Sequence, residues 1–167
     1  EEKETTRFKK YFGEPYRAFD YENAHFVLLD NALRTMGFDD EEQAWLDSDL
    51  SRNTQPFVFL FYHRSIKTPL ESLTGDDETP VSRRNNTDTL TILEKYTIEH
   101  IFSAHVHVYF PYKLVTPNGT ELNVTITGGG GATPHERLGG EKIKDYHYLL
   151  VDVFDDHVEI TKKEIVL

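Results

Sequence analysis

Three histidines of this chain stand where apolar runs end, a placement that suits metal ligation. His63 closes Phe57-Val-Phe-Leu-Phe-Tyr62, and His105 and His107 follow Ile101-Phe-Ser103 as a His-x-His pair. In open α/β sheets, ligands gather outside the carboxyl ends of the strands. If the two runs are parallel neighbours, all three imidazoles converge there. Imidazole nitrogen is a good ligand for divalent transition metals, and a His-x-His pair can present both rings to one centre or to two adjacent ones. The alternative on the same residues is a β-rich binding or interaction module whose histidines are incidental. His25, His100 and His157 sit at strand starts and read as structural or solvated. His135 and His147 flank a glycine-rich loop as possible neighbours of a site.

That loop begins with Gly128-Gly-Gly-Gly131 directly after an apolar run. Glycines there let the backbone approach a ligand or act as a plain hinge, and Gly129 and Gly130 are candidate substrate contacts. The run lacks the Gly-Lys-Ser/Thr and following helix of a phosphate loop. Arg64, beside His63, is placed to meet a phosphate, whereas Arg83-Arg84 read as solvated basic residues. Ser65 and Ser103 lie near the histidines without the Gly-x-Ser-x-Gly of a hydrolase elbow.

The elements that position these residues can be read from apolar patterning. Tyr16–Tyr21 and His25–Asp30 read as a hairpin turning at Glu22-Asn23. Asp39 starts a helix carrying Trp45, Leu46 and Leu50, and Glu42 stands three residues on, as in a capping box. Phe57–Tyr62 is the strongest buried-strand signal. Residues 63–84 read as a polar loop, longer than ordinary connections, followed by a helix from Asn86 to Tyr96. A short strand at Ile98–Ser103 precedes a hairpin of Val108–Val115 and Glu121–Thr127, turning at Asn118-Gly119. Tyr146–Phe154 and His157–Val166 close the chain as a last pair. Two helices and seven or eight strands, with strand–helix–strand order in the middle, predict an α/β or α+β fold with a mixed sheet.

Composition excludes several classes. The 167 residues carry 18 basic against 29 acidic side chains, a net charge of −11, which argues against general nucleic-acid binding through phosphate neutralisation. Cysteine is absent, so disulfides and thiol chemistry are excluded. No apolar run approaches the ~18 residues of a membrane helix. The opening EEKETTRFKK reads as a solvated charged stretch. Asn85, Asn118 and Asn123 each head an Asn-x-Ser/Thr triplet, a slight lean toward an extracytoplasmic or secreted location.

In their order, Phe19-Asp-Tyr-Glu-Asn-Ala-His-Phe-Val-Leu-Leu-Asp30, Gln43-Ala-Trp-Leu46, Val58-Phe-Leu-Phe-Tyr-His63, Ile101-Phe-Ser-Ala-His-Val-His107 and Thr127-Gly-Gly-Gly-Gly-Ala132 resemble the C-terminal portion of calcineurin-like metallophosphoesterases. The resemblance spans most of the chain and implies a mixed β-sandwich with flanking helices. It further implies two divalent metals (manganese, iron or zinc) that activate hydroxide to hydrolyse phosphomonoesters or phosphodiesters. His63 and His105 match ligands of one metal and His107 a ligand of the other. Ala104 replaces the glycine of the family's Gly-His-x-His, and Arg64 stands where many members have a second histidine. The family's early motifs, Asp-x-His, Gly-Asp and Gly-Asn-His-Asp/Glu, are not found in the early part of the chain; Gly75-Asp76 falls too late. Residues 1–167 are therefore expected to be one C-terminal portion of such a domain, inactive or nearly so in isolation. Its expected companions are a phosphorylated substrate and the missing N-terminal segment, or a second copy of itself covering the exposed strand edges.

Overall fold

The computed structural model describes residues 2–33, 35–70, 78–131, 137–138, 141–142 and 146–166. Three helices are described: α1 (Glu2–Phe12), α2 (Asp40–Arg52) and α3 (Pro80–Leu93). Six strands form the main sheet: β1 (Arg17–Tyr21), β2 (Ala24–Leu28), β3 (Phe57–Phe61), β4 (His100–Ser103), β5 (Tyr109–Val115) and β6 (Glu121–Thr127). The short pair β7 (Arg137–Leu138) and β8 (Glu141–Lys142) follows, and then the hairpin β9 (Tyr146–Val153) and β10 (Val158–Ile165).

The main sheet runs β1-β2-β3-β4-β6-β5. Its four central strands are parallel, and β1 and β5 add antiparallel edges. This is the mixed sheet that strand–helix–strand order demands. The helices α2 and α3 bury Leu46, Leu50, Leu90 and Leu93 against Val27, Val58, Leu60 and Ile101 on one face. On the other face, phenylalanines 57, 59 and 102 meet Leu149, Val151, Val158 and Ile160 of the β9–β10 hairpin. Alternate residues of β3 therefore serve two cores, which is why its sequence is apolar without a break.

Three local expectations change. The charged opening folds as α1; its pattern carries no wide apolar stripe, so a solvated stretch and a surface helix look alike in sequence. The third helix begins at Pro80, six residues before Asn86, and ends at Leu93. Pro80 occupies the first turn, where its missing N–H costs nothing, and the Thr79 side chain accepts from Ser82 N. Arg83 and Arg84 thus lie on a helix and not in a loop. Finally, only half of the capping box forms: Asp39 Oδ1 accepts from Glu42 N at 2.8 Å, while the Glu42 carboxyl turns to Asp30 N at 2.6 Å. His135 and Gly75-Asp76 lie outside the described residues.

Of the three glycosylation triplets, Asn85 is buried, with its amide donating to Met36 O. Asn118 and Asn123 are exposed on the β5–β6 hairpin. Among the described residues, no helix is long and apolar enough to cross a membrane.

Candidate metal centre

β3 and β4 are parallel neighbours, and their pairing continues past their ends. Tyr62 N donates to Phe102 O at 3.1 Å, and Ala104 N donates to His63 O at 3.0 Å. The chain therefore leaves both strands at the same level. His63 Nε2 and His105 Nδ1 stand 3.0 Å apart, with the two rings edge-on at 74°. Convergence of these two imidazoles follows directly from strand register.

The segment after β4 shows how the pair is presented. Val106 N donates to Ala104 O at 2.7 Å and Val108 N to Val106 O at 2.8 Å, so His105 and His107 are each the central residue of a three-residue turn. His105 pays for its turn with φ of 61°, a left-handed backbone that an L-residue with a Cβ adopts at a cost of about 1–2 kcal/mol. Val106 and Val108 anchor the segment in a small core with Leu70 and Ile126. The alternation buries the valines and leaves His105 and His107 half-buried, accessible to a ligand. Left-handed backbone at a histidine is the kind of local strain that collects at functional sites.

Asn31 holds the other side of the pair, and no sequence signal separates it from an ordinary turn asparagine. It is buried, its Oδ1 accepts from His63 N at 3.0 Å and Arg64 N at 2.9 Å, and its Nδ2 donates to Arg64 O at 2.7 Å. One amide thus fixes the backbone on which both His63 and Arg64 are mounted. Nearby, Ser65 and Ser103 hydroxyls bond each other at 2.7 Å.

The glycine run is packed tightly where it meets this site. A Cβ at Gly128 would overlap the carbonyl oxygen of Val106 and crowd His107 Cα, and one at Gly129 would overlap the His147 ring. These two glycines let β6 and the buried His147 pack against the histidine segment. Space around Gly130 is open, and the residue is exposed. His147 Nε2 also meets Thr127 Oγ1 at 3.2 Å, a structural role for that ring.

The donor set can be tested against a metal. Two nitrogens on one tetrahedral zinc at Zn–N of about 2.0–2.1 Å stand roughly 3.3 Å apart. The 3.0 Å between His63 and His105 fits one such ion without large rearrangement. Two imidazoles do not complete a coordination sphere, and among the described residues no cluster of three or more His, Cys, Asp or Glu side chains could hold a metal by itself.

Other histidines do different work. His25 bridges Asp20 (2.6 Å) and Asp49 (2.8 Å), binding β1, β2 and α2 together. His100 is half-buried, and that burial, with Lys113 nearby, depresses its pKa to about 4. Its Nε2 lies 2.9 Å from Thr125 Oγ1. These placements agree with the structural reading of both residues.

No family model matches the chain. Purple acid phosphatase 22 of Arabidopsis thaliana is 29% identical over 122 residues, covering 69% of this chain and 27% of that protein. The structure of purple acid phosphatase PPD1 from yellow lupin (Lupinus luteus) seeds superposes with a TM-score of 0.70 over 89% of this chain and 30% of that one, at 18% identity. This chain therefore spans less than a third of the length of either relative. Both matches bear out the resemblance to calcineurin-like metallophosphoesterases, and the shared fold is the mixed α/β architecture described above.

Proposed function

We propose, for a chain that shares sequence and fold with purple acid phosphatases, that it supplies the C-terminal ligand set of a dimetal phosphoesterase acting on phosphomonoesters or phosphodiesters. The observation that carries this reading is the 3.0 Å approach of His63 Nε2 to His105 Nδ1 at the carboxyl ends of adjacent parallel strands. In this reading His63 and His105 hold one divalent metal (manganese, iron or zinc), and His107 serves a second. Bound metals would contribute Lewis acidity and an activated water. The chain's own residues orient: Asn31 fixes the His63-Arg64 backbone, Arg64 meets the phosphoryl group, and Gly130 leaves room for it beside Gly129.

Three imidazoles are neutral ligands and cannot offset two dications held a few ångströms apart. A bridging carboxylate is required, and this reading places it on a segment of the domain outside these residues. The isolated chain is accordingly a weak one-metal binder without significant turnover.

The test is thermal unfolding with and without Zn²⁺ or Mn²⁺, since a ligand of the native state raises the melting temperature. We expect a rise that His105→Ala removes, with aryl phosphate hydrolysis staying at background. A melting temperature indifferent to both metals would return the chain to the class of β-rich binding modules with incidental histidines. Robust turnover abolished by His105→Ala would overturn the claim that the chain is inactive alone.

A further inference from the structure

A cavity of about 590 Å³ opens where β2 and β3 end, and His63 is part of its wall. Its lining is otherwise almost entirely apolar: Phe8 of α1, Pro15, Leu28, Leu29, Leu33 and Phe61. Phe8 is 43% exposed and Leu33 is 46% exposed, so two large apolar side chains stand half in water beside it. A volume in this range suits a small organic molecule and far exceeds what a phosphate group needs.

The polar part of the wall narrows the chemistry. Asp30 lines the cavity and its Oδ1 accepts from Ala32 N at 3.2 Å, so it presents an acceptor and a negative charge. A second phosphate would meet repulsion there, and a sugar's several hydroxyls would lose water against leucine and phenylalanine without regaining hydrogen bonds. An aromatic or branched alkyl group would displace water from apolar surface at no such cost.

We propose that this cavity receives the organic group of the substrate, making the preferred substrates phosphoesters of aryl-sized apolar alcohols and not nucleotides or sugar phosphates. This inference rests on the phosphoesterase reading, which puts the phosphoryl group at His63. Phe8 and Leu33 are then specificity-determining residues.

The experiment compares binding of phenylphosphonate and methylphosphonate to the 167-residue chain by calorimetry, with and without Zn²⁺. With Zn²⁺, phenylphosphonate is expected to bind at least about tenfold more tightly, the gain from burying a ring's extra apolar area. Leu33→Asp should erase that difference, and Phe8→Ser should do the same from the opposite element. Equal zinc-dependent binding of the two phosphonates overturns the cavity assignment while upholding the phosphoesterase reading. Tighter phenylphosphonate binding that Leu33→Asp abolishes but Zn²⁺ does not affect upholds the cavity and sinks the phosphoesterase reading. No phenylphosphonate binding under either condition overturns the proposal.

Discussion

A histidine held in left-handed backbone and an asparagine spent entirely on its neighbour's main chain define the candidate centre more sharply than the histidine spacing does. The ligand candidates were legible because apolar runs mark strands and the next polar residue marks the strand exit. The means of holding them was not. Nothing in Asp30-Asn31-Ala32 announces that one amide will satisfy three backbone groups more than thirty residues away. Asn31→Ala should strip those partners and destabilise the chain by about 1–3 kcal/mol in urea titrations, the usual cost of leaving buried polar groups unpaired. It should also weaken zinc binding, whereas Asn31→Ser, which retains an acceptor, should lose less of both. The turn at His105 makes an opposite prediction. His105→Gly removes the ligand and also the strain, so stability without metal should hold or rise by up to about 1 kcal/mol. His105→Val, which places a branched Cβ at φ of 61°, should fall well below it. Equal stability of the two variants would show that the turn stores no strain.

At the scale of elements, the central strands were legible as apolar runs and the hairpins by their turn residues. The start of α3 was obscured because Pro80 ends one kind of element and opens another. Packing of the glycine run was equally hidden, since sequence cannot distinguish glycine that admits a ligand from glycine that admits a neighbouring strand. Gly128→Ala should drive β6 from the histidine segment and cost about 1–3 kcal/mol, as overpacking does, with a matching loss of metal affinity. Meanwhile β2 and α2 are fastened at both ends by groups with raised pKa values. Burial alone would lower that of His25, but its bonds to Asp20 and Asp49 outweigh burial and hold the imidazolium. Burial lifts Glu42 to about 8, and the donated Asp30 N–H only partly opposes this. Both protons are held more tightly in the folded chain, so both contributions are complete below the unfolded values, near 6.5 and 4.5. They are lost as pH rises through the folded ones. His100, held near 4, gains stability up to its unfolded value near 6.5 and offsets the loss below that, so melting temperature should decline chiefly from about pH 6.5 to pH 8. Glu42→Gln, which still accepts from Asp30 N, should flatten much of that decline and gain on the order of 2 kcal/mol at pH 8.

At the scale of the molecule, the two faces of the sheet are unequally covered among the described residues. Helices α2 and α3 close one face, whereas the β9–β10 hairpin reaches only part of the other. Along that second face the rings run in sequence: Phe19 stacks on Phe26 at 5.1 Å, Phe26 on Phe59 at 5.5 Å, and Phe59 lies 6.3 Å from Phe102. The series surfaces at Phe19, 50% exposed, on the edge strand β1. An edge strand offers unpaired backbone groups, and here a stacked apolar ridge accompanies it. Net charge of −11 opposes association at long range, but at 0.15 M salt that repulsion is screened beyond about 8 Å. Burial of the ridge is then free to dominate at contact. Sedimentation at rising protein concentration should accordingly show reversible self-association that strengthens with added salt. Phe19→Lys, which places a charge on the edge and removes the outermost ring, should shift the chain toward monomer with little change in its melting temperature. Association that persists undiminished in Phe19→Lys would locate the contact elsewhere.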